Sequence, residues 1–221
     1  MEVKVIAFNP VQENTYIIWD ETKECAIIDA GNFNTQESEY LFKTIDELGL
    51  KPVLAINTHG HFDHLMGVEA VRERYNTPFA LSSKDQYLLD TFPEGTVVYG
   101  MRIGKMPSSY EIDLDSVDSV KVGNMTIQII KTPGHTPGHV SLYEAESRTL
   151  FTGDTLFRES IGRTDLPGGD YSVLMNTLTK CILPMGDDIK VYPGHAEPTS
   201  IGHEALYNPF IVEAINGEVG Y

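Results

Sequence analysis

Cysteine, basic side chains and long apolar runs are scarce in this 221-residue chain, and each scarcity removes a class of protein. Only Cys25 and Cys181 occur, far apart and each in an apolar run. Neither a disulfide framework nor a thiolate zinc cluster can be assembled from them, so both are expected to be buried free thiols. Lys and Arg number 16 against 32 Asp and Glu, a formal charge of −16. Nucleic acid and anionic membrane surfaces are held through a Lys/Arg footprint, so both are disfavoured as partners. Nowhere do about 18 apolar residues run together, and the N-terminal MEVKVIAFNPVQENTY lacks the apolar core of a signal peptide. A soluble protein of a reducing, cytoplasmic setting is expected. No Ser/Gly linker or low-complexity tract interrupts the chain.

What is present argues for a folded domain. Hydrophobic residues make up 41% and aromatics 10%, too many for an acidic disordered chain. At roughly 100–200 residues per domain, residues 1–221 read as one domain. Three β-rich runs, Val3 to Phe8, Thr15 to Trp19 and Ala26 to Ile28, predict an antiparallel meander. Leu41, Phe42, Ile45 and Leu48 at helical spacing predict a helix from about Thr35, stopped at Gly49. A buried strand, Val53 to Asn57, leads into THGHFDH, and one helix is expected over Leu65 to Tyr75. A brief strand over Pro78 to Leu81 and a short helix over Ser83 to Leu89 come next. Residues 92–110 carry Pro93, Gly95, Gly100, Gly104 and Pro107 among Tyr99, Met101, Arg102 and Tyr110. They predict a long irregular loop, either a cap over a site or a plain surface excursion. Four further strands fall between Ser119 and Thr152. A helix over Tyr171 to Cys181, a strand over Lys190 to Tyr192 and a terminal helix around Asn208 to Ile215 follow. Strands, helices, strands and helices in that order predict an α/β (α+β) domain of two packed sheets with helices outside.

Five of the seven histidines sit at strand ends, where loops converge on a rigid scaffold. His59, His61 and His64 follow the strand ending at Asn57. His135 follows Pro133-Gly134, His195 follows Pro193-Gly194, and Asp154 follows Gly153. In extended chain residues i and i+2 point the same way, so His59 and His61 can share one metal ion. Asp63 and His64, entering the next helix, are displaced by a turn and can serve a second ion roughly 3.5–4 Å away. Imidazole and carboxylate ligands suit zinc, iron or manganese, and the absence of thiolate argues against a structural zinc site.

These blocks resemble the metallo-β-lactamase-fold hydrolases, and among them the short glyoxalase II-like (hydroxyacylglutathione hydrolase-like) proteins. The resemblance rests on Ile27-Ile28-Asp29-Ala30-Gly31, THGHFDH at 58–64, Thr132 to His139 (TPGHTPGH), Phe151 to Phe157 (FTGDTLF), Gly162-Arg163-Thr164-Asp165 and Tyr192-Pro193-Gly194-His195. It implies a four-layer αβ/βα sandwich with a dinuclear site at one edge. His59, His61 and His135 would hold the first of two divalent ions, zinc above iron or manganese, and Asp63, His64 and His195 the second. Asp154 would bridge the ions, and Asp29 would orient the site from behind. His139 would pack beside the ligands, and His203 lies outside every motif. The implied chemistry is hydrolysis of a small anionic thioester such as S-lactoylglutathione by a hydroxide held between the ions, with Asp63 able to take up a proton if the second ion is lost.

Position 61 separates this chain from the flavodiiron reductases, which resemble the motif but carry Glu there. Full-length glyoxalase II enzymes add a helical extension whose basic residues hold the glutathione carboxylates. Only 26 residues follow His195 here, none of them basic. Arg163 matches a family position that contacts glutathione, with a salt bridge to Asp165 or Asp170 as its alternative role; Arg158, Arg102 and Lys105 are further candidates for an anionic substrate. Two alternatives share the fold. A persulfide dioxygenase would use His59, His135 and Asp154 on a single Fe(II), and a lactone or ester hydrolase would share every ligand. A monomer or a homodimer is expected.

Overall fold

The computed structural model describes residues 1–217. Two six-stranded sheets lie face to face. In spatial order the first contains Glu2–Phe8, Glu13–Trp19, Glu24–Ile28, Lys51–Ile56, Phe79–Leu81 and Ile112–Asp113. Its first three strands form the expected antiparallel meander, with Glu2 opposite Trp19 and Tyr16 opposite Ile28. The remaining pairs are parallel. Parallel neighbours need long crossovers, which the helices Thr35–Glu47 and Val68–Tyr75 supply. The second sheet runs Thr199–Ser200, Lys190–Pro193, Thr149–Gly153, Val140–Glu144, Met125–Lys131 and Ser119–Val122.

Consecutive isoleucines show how the layers are built. Side chains alternate along a strand, so a strand covered on both faces is apolar at every position. Ile17 and Ile27 point outward onto Leu41, Ile45 and Val68 of the helices. Ile18 and Ile28 point inward and meet Ile127, Leu142 and Phe151 of the facing sheet. On the far side Leu150 and Val191 pack beneath Leu174, Leu178, Ile201 and Ile211. Helix, sheet, sheet and helix make the four-layer αβ/βα sandwich that the resemblance implied.

Several local expectations are corrected. The helix expected over Leu65 to Tyr75 is two pieces, Phe62–Leu65 and Val68–Tyr75. They part where the Gly67 N–H donates to the Ala30 carbonyl at 2.7 Å. The segment 171–181 is α-helical only over Tyr171–Thr177 and widens into a π-helical turn over Leu178–Ile182. In that turn Leu178 and Ile182 take the buried side, leaving Cys181 exposed; only Cys25 is a buried thiol. The terminal region holds two helices, Ile201–Tyr207 and Pro209–Asn216. Pro209 cannot continue the first, and Asn208 caps the second by accepting the Phe210 N–H. Residues 92–110 contain a small hairpin, Val97–Val98 with Met101–Arg102. Met101 and Ile103 anchor it in a buried cluster with Met66.

Candidate metal centre

The strands Lys51–Ile56, Met125–Lys131, Thr149–Gly153 and Lys190–Pro193 deliver their C-terminal loops to one edge of the sandwich. The structure brings all seven sequence-predicted donors together there. Donor atoms of His59, His61 and His135 lie within 4.8 Å of one another, as do those of Asp63, His64 and His195, and those of His59, His64 and Asp154. His61 is extended and immediately precedes the helix Phe62–Leu65, so the turn displaces Asp63 and His64 as the spacing predicted.

Hydrogen bonds on the far side of three of the rings select the inward nitrogen. Asp29 accepts from the Thr58 N–H at 2.7 Å and from the Thr58 hydroxyl at 2.8 Å. That hydroxyl has spent its proton, so at 3.0 Å it accepts from His59 Nδ1–H and leaves the His59 Nε2 lone pair facing inward. His135 Nδ1–H donates to the Arg163 carbonyl at 2.7 Å, and His195 Nδ1–H donates to the Val11 carbonyl at 3.1 Å. His64 Nδ1 lies 3.1 Å from Asp29 Oδ2, turning Nε2 towards Asp154 Oδ1 at 3.4 Å. The inward nitrogens crowd one another: His61 Nδ1 is 2.8 Å from His135 Nε2. Asp154 Oδ2 stands 3.6 Å from both His135 Nε2 and His195 Nε2, between the two groups. Asp63 Oδ2 is 3.3 Å from His195 Nε2.

A shared cation is the physical reason for such a gathering. His59 Nε2, both His64 nitrogens and Asp154 Oδ1 are buried without a hydrogen-bond partner. Buried polar groups left so cost about 1–3 kcal/mol each. Burial, reinforced by neighbouring histidines, holds His59 well below its ordinary pKa. For His61 burial and then His135 bring the value to about 4. Burial also opposes charge on His64, yet Asp154, Asp63 and Asp29 outweigh it and raise its pKa well above the usual range. The donor set is nitrogen and carboxylate oxygen without sulfur, suited to a borderline or hard divalent ion. The residues present fit a metal centre.

Close approach explains two glycines of the motifs. A Cβ at Gly194 would run into Asp154 Oδ1 and His64 Cε1, and one at Gly153, where φ is +46°, into Thr58 and His139. His139 itself stays out of the donor cluster. Its Nε2 accepts the Asp154 N–H at 3.0 Å, and its Nδ1 faces the Thr132 and Thr155 hydroxyls, so it fixes the backbone of Asp154. His203 is partly exposed and pairs with Glu159 at 3.0 Å.

Two acids escaped the sequence reading. Asp85 is buried and accepts from Gly60 N–H at 2.9 Å, Gly138 N–H at 2.7 Å and the Thr136 hydroxyl at 2.7 Å. It ties the His59–His61 loop to the His135 loop. Glu13, fully buried, sits behind His64 with Oε1 3.9 Å from His64 Nδ1, and burial pushes its carboxyl well above the ordinary value. Neither residue lies in a repeated motif; the one available signal was an acid within a segment otherwise destined for the core.

A cavity of about 660 Å³ opens over the donors, with His61, Asp63, His135, Asp154 and His195 in its lining. Arg163 also lines it, and its guanidinium donates twice to Asp165 at 2.7 Å, the salt bridge that was its alternative role. Arg102 and Lys105 do not reach the cavity. Arg102 donates to the Gly95 carbonyl, and Lys105 pairs with Glu69 and Glu73. Arg158 is likewise absent from the lining.

The fold and this centre define a class, and comparison with known proteins agrees. Residues 8–195 match the model of the metallo-beta-lactamase superfamily, and the chain belongs to it. Hydroxyacylglutathione hydrolase GloC of Haemophilus influenzae is 35% identical over 213 residues, covering 96% of this chain and 98% of the relative. Among solved structures, BLEG-1 B3 metallo-beta-lactamase superposes with a TM-score of 0.87 at 35% identity, over 95% of this chain and 99% of its own. TTHA1623 in a di-iron-bound form superposes with a TM-score of 0.80 at 33% identity, over 94% and 99%. Among the described residues no helix is long and apolar enough to cross a membrane.

Proposed function

We propose that this chain, acting as one domain over residues 1–221, is a dinuclear metal-dependent hydrolase of small thioesters. The observation that carries the reading is the convergence of seven donors, several of them buried and unpartnered, on the floor of an open cavity. His59, His61 and His135 would hold one ion, Asp63, His64 and His195 the other, and Asp154 both. The similarity to GloC and to a di-iron structure supports this assignment. When bound, divalent ions supply an activated water and polarise the carbonyl under attack.

The chain's own residues do the rest. Asp154 is held by His139 at its backbone, so its carboxylate stays between the two histidine groups. Asp63 lines the cavity with its Oδ2 3.3 Å from His195 Nε2, so it would serve the second ion, and would accept a proton only when that ion is absent. Arg163, at the rim, receives an anionic group of the substrate. In the overall reaction the acyl C–S bond breaks, water forms the new C–O bond, and a carboxylate, a thiol and a proton result. A thiolate leaves with little help from a general acid. The cytoplasmic setting fits two cysteines without a disulfide.

The test is thiol release from S-lactoylglutathione and a panel of acyl thioesters by metal-loaded protein. Release that disappears on chelation and returns with added metal is expected. Failure on every thioester, with hydrolysis of lactones instead, would replace this reading with an ester hydrolase.

A further inference from the structure

The walls of the cavity are unlike its floor. On one side stand Phe62, Phe92, Val98 and Tyr99; on the other, Phe157 and Ile161. Phe62 meets Phe92 edge to face with ring centroids 5.2 Å apart, and Tyr99 stacks over Phe62 at 6.3 Å. Among the described residues Arg163 is the one Lys or Arg in the lining, and Asp165 already engages its guanidinium twice. The chain as a whole carries −16. A substrate recognised chiefly by its charges would meet one occupied cation on a repelling protein.

The position of Tyr99 strengthens the point. It lies at the tip of the 97–102 hairpin with φ +48°, followed by Gly100 at +79°. A two-residue turn with both central residues left-handed favours Asn, Asp or Gly, and a bulky aromatic there is strained. The residue is 70% exposed to solvent, yet its ring is stacked over Phe62. Strain retained at the lip of a cavity points to use of the ring there. Met101 and Ile103, each 1% exposed, fix the hairpin from beneath, so the wall is formed before a ligand arrives.

We propose that this cavity selects thioesters whose acyl arm is apolar and of ring or branched-chain size, with Phe62, Phe92, Val98 and Tyr99 as the acyl-binding wall. A small hydroxyacyl group leaves these rings wet. A phenylacetyl or isovaleryl group covers them. The inference rests on the hydrolase reading above and adds the substrate class.

The experiment holds the thiol constant. Lactoyl, acetyl, isovaleryl and phenylacetyl thioesters of glutathione are presented to metal-loaded protein, and thiol release is followed. One methylene in an apolar pocket changes kcat/KM by about 10–200-fold, so phenylacetyl is expected to exceed lactoyl by at least about tenfold. Phe92→Ser and Tyr99→Ser bring that ratio towards one. Val97→Ser, on the same hairpin but outside the cavity, leaves it unchanged. A second measurement needs no turnover: calorimetric binding of the inert thioether S-(2-phenylethyl)glutathione against S-methylglutathione. The aryl compound is expected to bind at least about tenfold tighter, with a negative heat-capacity change. Lactoyl preferred over phenylacetyl, or equal binding of the two thioethers, overturns the proposal. No thiol from any thioester overturns the hydrolase reading instead, and the binding comparison then still decides the preference of the wall.

Discussion

Thr58 shows how much one side chain settles at this centre. Its single hydroxyl proton goes to Asp29, and that choice dictates which nitrogen of His59 carries the lone pair. Asp85 acts on a larger lever, since its carboxylate joins two loops that supply three of the donors. Replacing it by Asn keeps the size but lets one amide oxygen serve where two carboxylate oxygens did. Asp85→Asn is expected to weaken metal binding by about 10–100-fold, the usual effect of losing a group that orients ligands. Competition against a fluorescent chelator measures it, with circular dichroism to confirm the fold. Asp85 and Glu13 were illegible in the sequence for one reason: each touches residues far along the chain, and burial of an acid is decided by tertiary structure. The histidines were legible because i, i+2 spacing and a following helical turn are local geometry.

At the level of elements, repetition made the second sheet's contribution readable. Strand, glycine or Pro-Gly, then ligand occurs at His135, Asp154 and His195, and all three loops arrive at the same edge. Where no pattern repeats, the reading was coarser. The break at Gly67 depends on a carbonyl 37 positions earlier, and the exposure of Cys181 depends on which side of a widened turn faces the sheet. The sandwich interior carries its own prediction. Phe151 is 1% exposed and packs edge-on against Tyr16 with ring centroids 5.1 Å apart, joining the two sheets. Phe151→Ala should lower unfolding stability by about 3–5 kcal/mol, read by chemical denaturation. A loss below about 1 kcal/mol would show that this interface is not the main core.

For the whole molecule, excess acidity and a buried histidine cluster make metal binding and proton binding compete. In the metal-free protein, burial disfavours charge on His64, but Asp154, Asp63 and Asp29 favour its protonated form. A ligating imidazole must be neutral, so metal entry expels that proton. Apparent metal affinity is therefore expected to rise with pH, with proton release seen as a buffer-dependent heat in titration calorimetry. Release that is absent at neutral pH would mean His64 is already neutral. Bound metal should also raise the melting temperature by mass action, and chelation should reverse the rise.

The dinuclear hydrolase account meets its most direct test in one preparation, by counting metal per chain while an oxygen electrode and a thiol assay run on thioester and glutathione persulfide. Two ions per chain, thiol released from thioester and no oxygen consumed is the predicted result. A single iron per chain with oxygen uptake on the persulfide would contradict it.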